Sequence, residues 1–148
     1  MLDAHGVLYV VTGSVGALLH GVPLEPGDLD VTPALDRDNL SRLAAALDEL
    51  DAVPGAPAGR WEGRRWIETG GEVPWPPDPD DPSSFDTLLR TRHGALDLVP
   101  EVCGRYEALA PRSVVVDGVR VASIDDLIET LSERAKHAGR ADALRALR

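Results

Sequence analysis

The chain has 148 residues, 43% hydrophobic and 27% charged, which is ordinary for a soluble globular domain able to bury one core. A net charge of −10 argues against broad electrostatic binding of nucleic acid or anionic membrane. The single cysteine, Cys103, excludes an internal disulfide, fits a reducing cytoplasm and has no companion for a structural zinc site. No secretory leader and no membrane-spanning run is expected, since no stretch approaches about 18 unbroken apolar residues. These features predict one cytoplasmic domain over 1–148.

Tyr9-Val10-Val11 reads as a strand that ends at Gly13. Ser14 to Leu19 reads as a short helix stopped by Gly21 and Pro23. The backbone N–H groups over this turn, with the Ser14 hydroxyl, would suit an anion such as phosphate. Asp28-Leu29-Asp30-Val31 reads as the next strand, with both carboxylates on one side and Leu29 on the other. Two neighbouring carboxylates repel unless a cation lies between them. Hard divalent ions favour such oxygen ligands together with substrate phosphates. An anion cradle followed by paired carboxylates therefore suits a metal-bound nucleotide.

Asp36 or Asp38 can cap a helix over Asn39–Leu50, whose leucines recur at three- and four-residue steps. From about 51 to 84 prolines and glycines dominate, and only Arg64 to Thr69 reads as a strand within a long loop. Trp61, Trp66 and Trp75 in it would pin the loop to the body or stack on a base. Two strands, Thr87–Thr91 and Ala95–Val99, form a hairpin around Arg92-His93-Gly94. Asp97 stands on the second strand on the side away from Leu96 and Leu98. An Asp among apolar neighbours is costly unless something satisfies it, and a metal shared with Asp28 and Asp30 would. One helical turn is expected at Tyr106–Leu109 and a hairpin around Asp117-Gly118. Ser123 should cap a helix carrying Ile124, Leu127, Ile128 and Leu131, and a last helix should run from Ala141 to Leu147 after a break at Ala138-Gly139-Arg140. His20 and His93 read as a helix-end and a turn residue.

Gly13-Ser14 followed by Asp28-x-Asp30 resembles the signature of the nucleotidyltransferase (polymerase-β-like) superfamily, in its small bacterial toxin–antitoxin and abortive-infection form. Thr91-x-x-Gly94-x-x-Asp97-Leu98 is similar to these enzymes, as are Val121 to Ile128 and Ala138-Gly139-Arg140. The resemblance implies an α+β fold: a mixed twisted sheet with helices mainly on one face, and a Pro-rich insertion at about 51–84. It implies transfer of a nucleoside monophosphate from an NTP such as ATP to a hydroxyl of a protein, RNA or small molecule. Asp28, Asp30 and Asp97 would hold Mg²⁺ or Mn²⁺, and Asp97 would help deprotonate the acceptor. Gly13, Ser14, Lys136 and Arg140 would contact phosphates, and a partner toxin or antitoxin is implied.

The chain departs from the pattern at its C-terminal end. The usual lysine position is Ala135, with Lys136 one residue later, and Asp142 follows Arg140 by two residues instead of three. A non-catalytic nucleotide-binding or antitoxin-like partner on the same scaffold is the alternative. An RNA-contacting surface built on Arg60, Arg64, Arg65, Arg90 and Arg92 is opposed by the acidic balance. Asp28 does not open an EF-hand, because Pro33 and Asn39 stand where Gly and Glu are needed.

Overall fold

The computed structural model describes residues 1–62, 65–132 and 138–148, with the side chains of Trp61 and Trp66 also outside the description. Strand β1 (Tyr9–Val11) leads into helix α1 (Gly13–Leu19), strand β2 (Leu29–Pro33) and helix α2 (Arg37–Glu49). Strands β3 (Val53–Pro54), β4 (Gly59–Glu62) and β5 (Arg65–Glu68) follow in the Pro-rich segment. The hairpin β6 (Thr87–Thr91) and β7 (Gly94–Leu98), helix α3 (Tyr106–Leu109) and the hairpin β8 (Val114–Val116) and β9 (Val119–Val121) come next. Helices α4 (Ile124–Ser132) and α5 (Ala138–Arg145) complete the described chain.

Seven strands form one mixed sheet in the order β3-β6-β7-β2-β1-β9-β8. β2 runs parallel to β7, and β1 parallel to β9, while the other pairs are antiparallel. This is the α+β, mixed-sheet architecture that the resemblance implies. Alternation along the strands sorts the core. Val11, Val31, Leu96, Leu98 and Val121 join Leu40, Leu43 and Leu47 of α2 in one cluster. Val10 and Ala122 join Ala17, Leu127, Leu131 and Leu144 in a second. Asp30 and Asp97, register partners on β2 and β7, are thereby left out of the leucine and valine side of the sheet.

Local chemistry sets the element ends. The Asp36 carboxylate accepts the Asn39 N–H at 2.9 Å and starts α2. The fully buried Asn39 side chain then accepts from Leu8 N–H at 2.7 Å and donates to Leu8 O and Ala34 O at 3.0 and 2.8 Å. It fastens the start of α2 to the chain entering β1. Asn39→Ala would strand these buried partners, with an expected loss of about 2–3 kcal/mol in urea unfolding and no direct effect on the acidic site. The Asp117-Gly118 turn has positive φ at both residues, as a two-residue hairpin requires. Ser123 Oγ accepts the Asp126 N–H at 3.1 Å to cap α4. Asp126 is only 7% exposed and receives two donors from Arg112, at 2.5 and 3.3 Å. Those contacts push the Arg112 guanidinium above its ordinary pKa and fix the helix that carries Thr130.

Two expectations are corrected. The 51–84 segment holds more than one strand: β4 and β5 form a separate two-stranded sheet, and β3 extends the main sheet beside β6. β4 and β3 are short and carry Gly59 and Pro54, which hides them from local pattern reading. The last helix begins at Ala138 and includes Gly139, three residues before the expected start. Gly139 stands in the first turn, away from the helix middle where glycine's extra backbone entropy costs most. Lys136 and Arg64 lie outside the described residues. The segment is anchored by Phe85, fully buried in the first cluster, and by Trp75, which packs half-buried against it. Among the described residues no helix is long and apolar enough to cross a membrane.

Candidate active site

The site forms where β1 stops. Thr12 is extended, and its N–H donates to Asp30 O at 3.0 Å, while Ala122 N–H donates to Val11 O at 2.9 Å. The end of β1 is therefore held from both sides. Gly13 then turns the chain with φ +58°, and α1 begins. A Cβ at Gly13 would lie 1.9 Å from Asp30 Oδ2, so no other residue fits without moving that carboxylate. α1 is only seven residues long. Its macrodipole is correspondingly short, and the polar weight of the turn falls on Ser14 instead.

Asp30 and Asp97 are direct register partners on the parallel strands β2 and β7. Thr32 Oγ1 donating to Val99 O at 3.0 Å and Val99 N–H donating to Val31 O at 2.9 Å lock that register. Asp28 precedes β2 by one residue and returns to the same side. One carboxylate oxygen from each of Asp28, Asp30 and Asp97 lies within 4.8 Å of the other two, and all three residues are half-buried. The structure thus brings together the three acids singled out in the sequence. Three hard oxygen donors at this separation could hold a divalent cation.

The acids line a cavity of about 180 Å³ together with Gly13, Ser14, Thr130 and Arg140. Ser14 is 3% exposed, and its Oγ has no hydrogen-bond partner among the described residues. A buried hydroxyl left unpaired is expensive, and a phosphate oxygen in the cavity would satisfy it. The orphaned hydroxyl, the close Gly13 bend and the all-oxygen donor set fit a metal-bound triphosphate. Arg140 reaches this cavity from the first turn of α5, while Lys136 falls outside the described residues.

Cys103, Val102, Thr130 and Leu131 also wall the cavity, and no sequence signal singled them out for it. Cys103 is half-buried, as a small apolar residue would be. The Thr130 hydroxyl donates to Asp126 O at 2.9 Å, one helical turn back. His20 ends α1 and places Nε2 2.8 Å from Ala122 O, a structural contact. His93 sits in the β6–β7 turn, where its N–H donates to Thr91 Oγ1. Of the arginines weighed as an RNA surface, Arg60 pairs with Glu62 and Arg92 with Asp51.

No protein-family model and no curated protein sequence matches the chain. Among solved structures it is similar to that of the antibiotic-resistance factor ANT(2'')-Ia, an aminoglycoside nucleotidyltransferase, with a TM-score of 0.55 and 16% identity. The match covers 99% of this chain and 82% of that one. At this identity the likeness is one of architecture: the chain has a nucleotidyltransferase-like fold.

Proposed function

We propose that residues 1–148 form one nucleotidyltransferase-like domain that moves a nucleoside monophosphate from an NTP to a hydroxyl acceptor, with Mg²⁺ or Mn²⁺ as cofactor. The observation that carries this reading is the meeting of the Asp28, Asp30 and Asp97 carboxylates, all within 4.8 Å, beside the Gly13 bend. A divalent cation bound by these acids supplies charge neutralisation for the triphosphate and polarises the phosphorus under attack. Gly13 lets phosphate oxygens approach the backbone, and the Ser14 hydroxyl donates to them. Arg140 offsets the charge of the departing pyrophosphate. Asp97, the register partner of Asp30 on β7, orients the attacking hydroxyl. The resemblance to small toxin–antitoxin and abortive-infection enzymes extends the proposal to a role in such a system, in the cytoplasm, with a partner chain.

The test is label transfer. The protein is incubated with α-phosphate-labelled NTPs, Mg²⁺ and a cell lysate divided into protein, RNA and small-molecule fractions. Label should enter one fraction, and EDTA should abolish the transfer. The displacement of Lys136 from its expected position favours a second reading, a catalytically inactive nucleotide-binding or antitoxin-like partner. Mg²⁺-dependent nucleotide binding with no transfer to any fraction would support that reading instead.

A further inference from the structure

A larger cavity, of about 400 Å³, lies over β6 and β7 and shares Asp97, Val99 and Val102 with the acidic site. The sheet order β6-β7-β2-β1 puts the phosphate-facing residues Gly13 and Ser14 on one side of Asp97 and this cavity on the other. Its outer wall is built by the Pro-rich segment, through Ala58, Val73 and Pro74, and its floor by Leu88, the register partner of Asp97. The volume is within the roughly 300–1,000 Å³ range of small-molecule sites.

The lining chemistry restricts the occupant. Aliphatic and proline surface dominates, and the charged side chains are all acidic: Asp81, Asp86 and Asp97. No lysine or arginine lines it among the described residues. Among the described lining residues a phosphate-bearing molecule would meet carboxylates and no lysine or arginine, while an apolar body would displace water from apolar walls.

Resting on the nucleotidyl-transfer reading, we infer that this cavity is the acceptor site, and that the acceptor is a small alcohol or phenol with an apolar body, neutral or cationic. Its hydroxyl is presented at Asp97. In the reaction the hydroxyl oxygen forms a bond to the α-phosphorus of the NTP. The bond from that phosphorus to the oxygen bridging to the β-phosphate breaks, pyrophosphate leaves with the electron pair, and the hydroxyl proton passes to water. The 51–84 segment is thus a specificity element.

Three probes test the assignment by ligand-observed NMR: para-propylphenol, tyramine and para-hydroxybenzyl phosphate. The first two should bind the wild type, and the phosphate ester about tenfold more weakly or worse. Ala58→Trp, which fills the cavity from the Pro-rich wall, should weaken the first two by about tenfold or more. The same variant should keep wild-type Mg²⁺-dependent nucleotide binding, which also reports a folded chain. If Ala58→Trp does not fold, Val73→Phe makes the same test from another part of the wall. Equal probe binding by wild type and filled variants, or tight binding of the phosphate ester, would overturn the inference. So would label transfer to RNA or protein that the filled variants leave unchanged. Alcohol binding lost on filling, in a wild type that binds no nucleotide with Mg²⁺, would overturn the transferase reading while upholding the ligand class of the cavity.

Discussion

Asp28→Asn, which removes one carboxylate ligand of the proposed cation, is expected to lower nucleotidyl transfer by roughly a hundred- to a thousand-fold, the scale of losing one preorganised electrostatic contribution to a transition state. The same substitution should not weaken the metal-free fold. Asp28 is half-buried with two other carboxylates within 4.8 Å. Like charges about 4 Å apart repel by about 1 kcal/mol when well solvated, and Asn removes that repulsion. Melts in EDTA should therefore give a Tm equal to or above that of the wild type. Melts in Mg²⁺ should reverse the order, because only the wild type gains stability from binding the ion. A plain surface aspartate would show neither the activity loss nor the reversal.

Gly13→Ala should be as damaging to transfer, by a different route, and should cost stability as well. The new Cβ would overlap Asp30 Oδ2 at 1.9 Å, and the backbone would sit at φ +58°. The left-handed conformation alone costs about 1–2 kcal/mol, and displacement of the Asp30 carboxylate comes on top. Gly21→Ala is the matching control. Gly21 has φ +99° with nothing within 4 Å of its Cβ position, so only the backbone term applies. Urea unfolding should show both variants destabilised, and the transfer assay should show only Gly13→Ala inactive.

Much of this arrangement was legible along the chain because its signals are local. Val10 and Val11 before Gly13, the leucine spacing of α2, Asp117-Gly118 and Ser123 each act within a few residues, and the structure has the expected element at each. The pairing of Asp30 with Asp97 is not local. It depends on β7 lying beside β2, 67 residues away at the Thr32–Val99 contact, and no local spacing encodes that strand order. The cavity walls were less legible still. Val102, Cys103 and Thr130 come from a loop and a helix whose relation to the acids exists only once α4 has docked. The same holds for β3, which is two residues long and gains its hydrogen bonds from β6. The apolar lining of the acceptor cavity is likewise a property of how the Pro-rich segment folds back over Leu88, since its alanines and prolines show no periodicity.

The central claim is that three acids on, or just before, the neighbouring parallel strands β2 and β7 share one divalent ion. Crystals grown with Mn²⁺ and a non-hydrolysable NTP analogue, with diffraction measured at the manganese absorption edge, test it most directly. An anomalous peak ligated by Asp28, Asp30 and Asp97, with the triphosphate against Gly13 and Ser14, is the predicted result. A peak elsewhere, or a nucleotide bound with Asp97 turned away from the ion, would contradict the account.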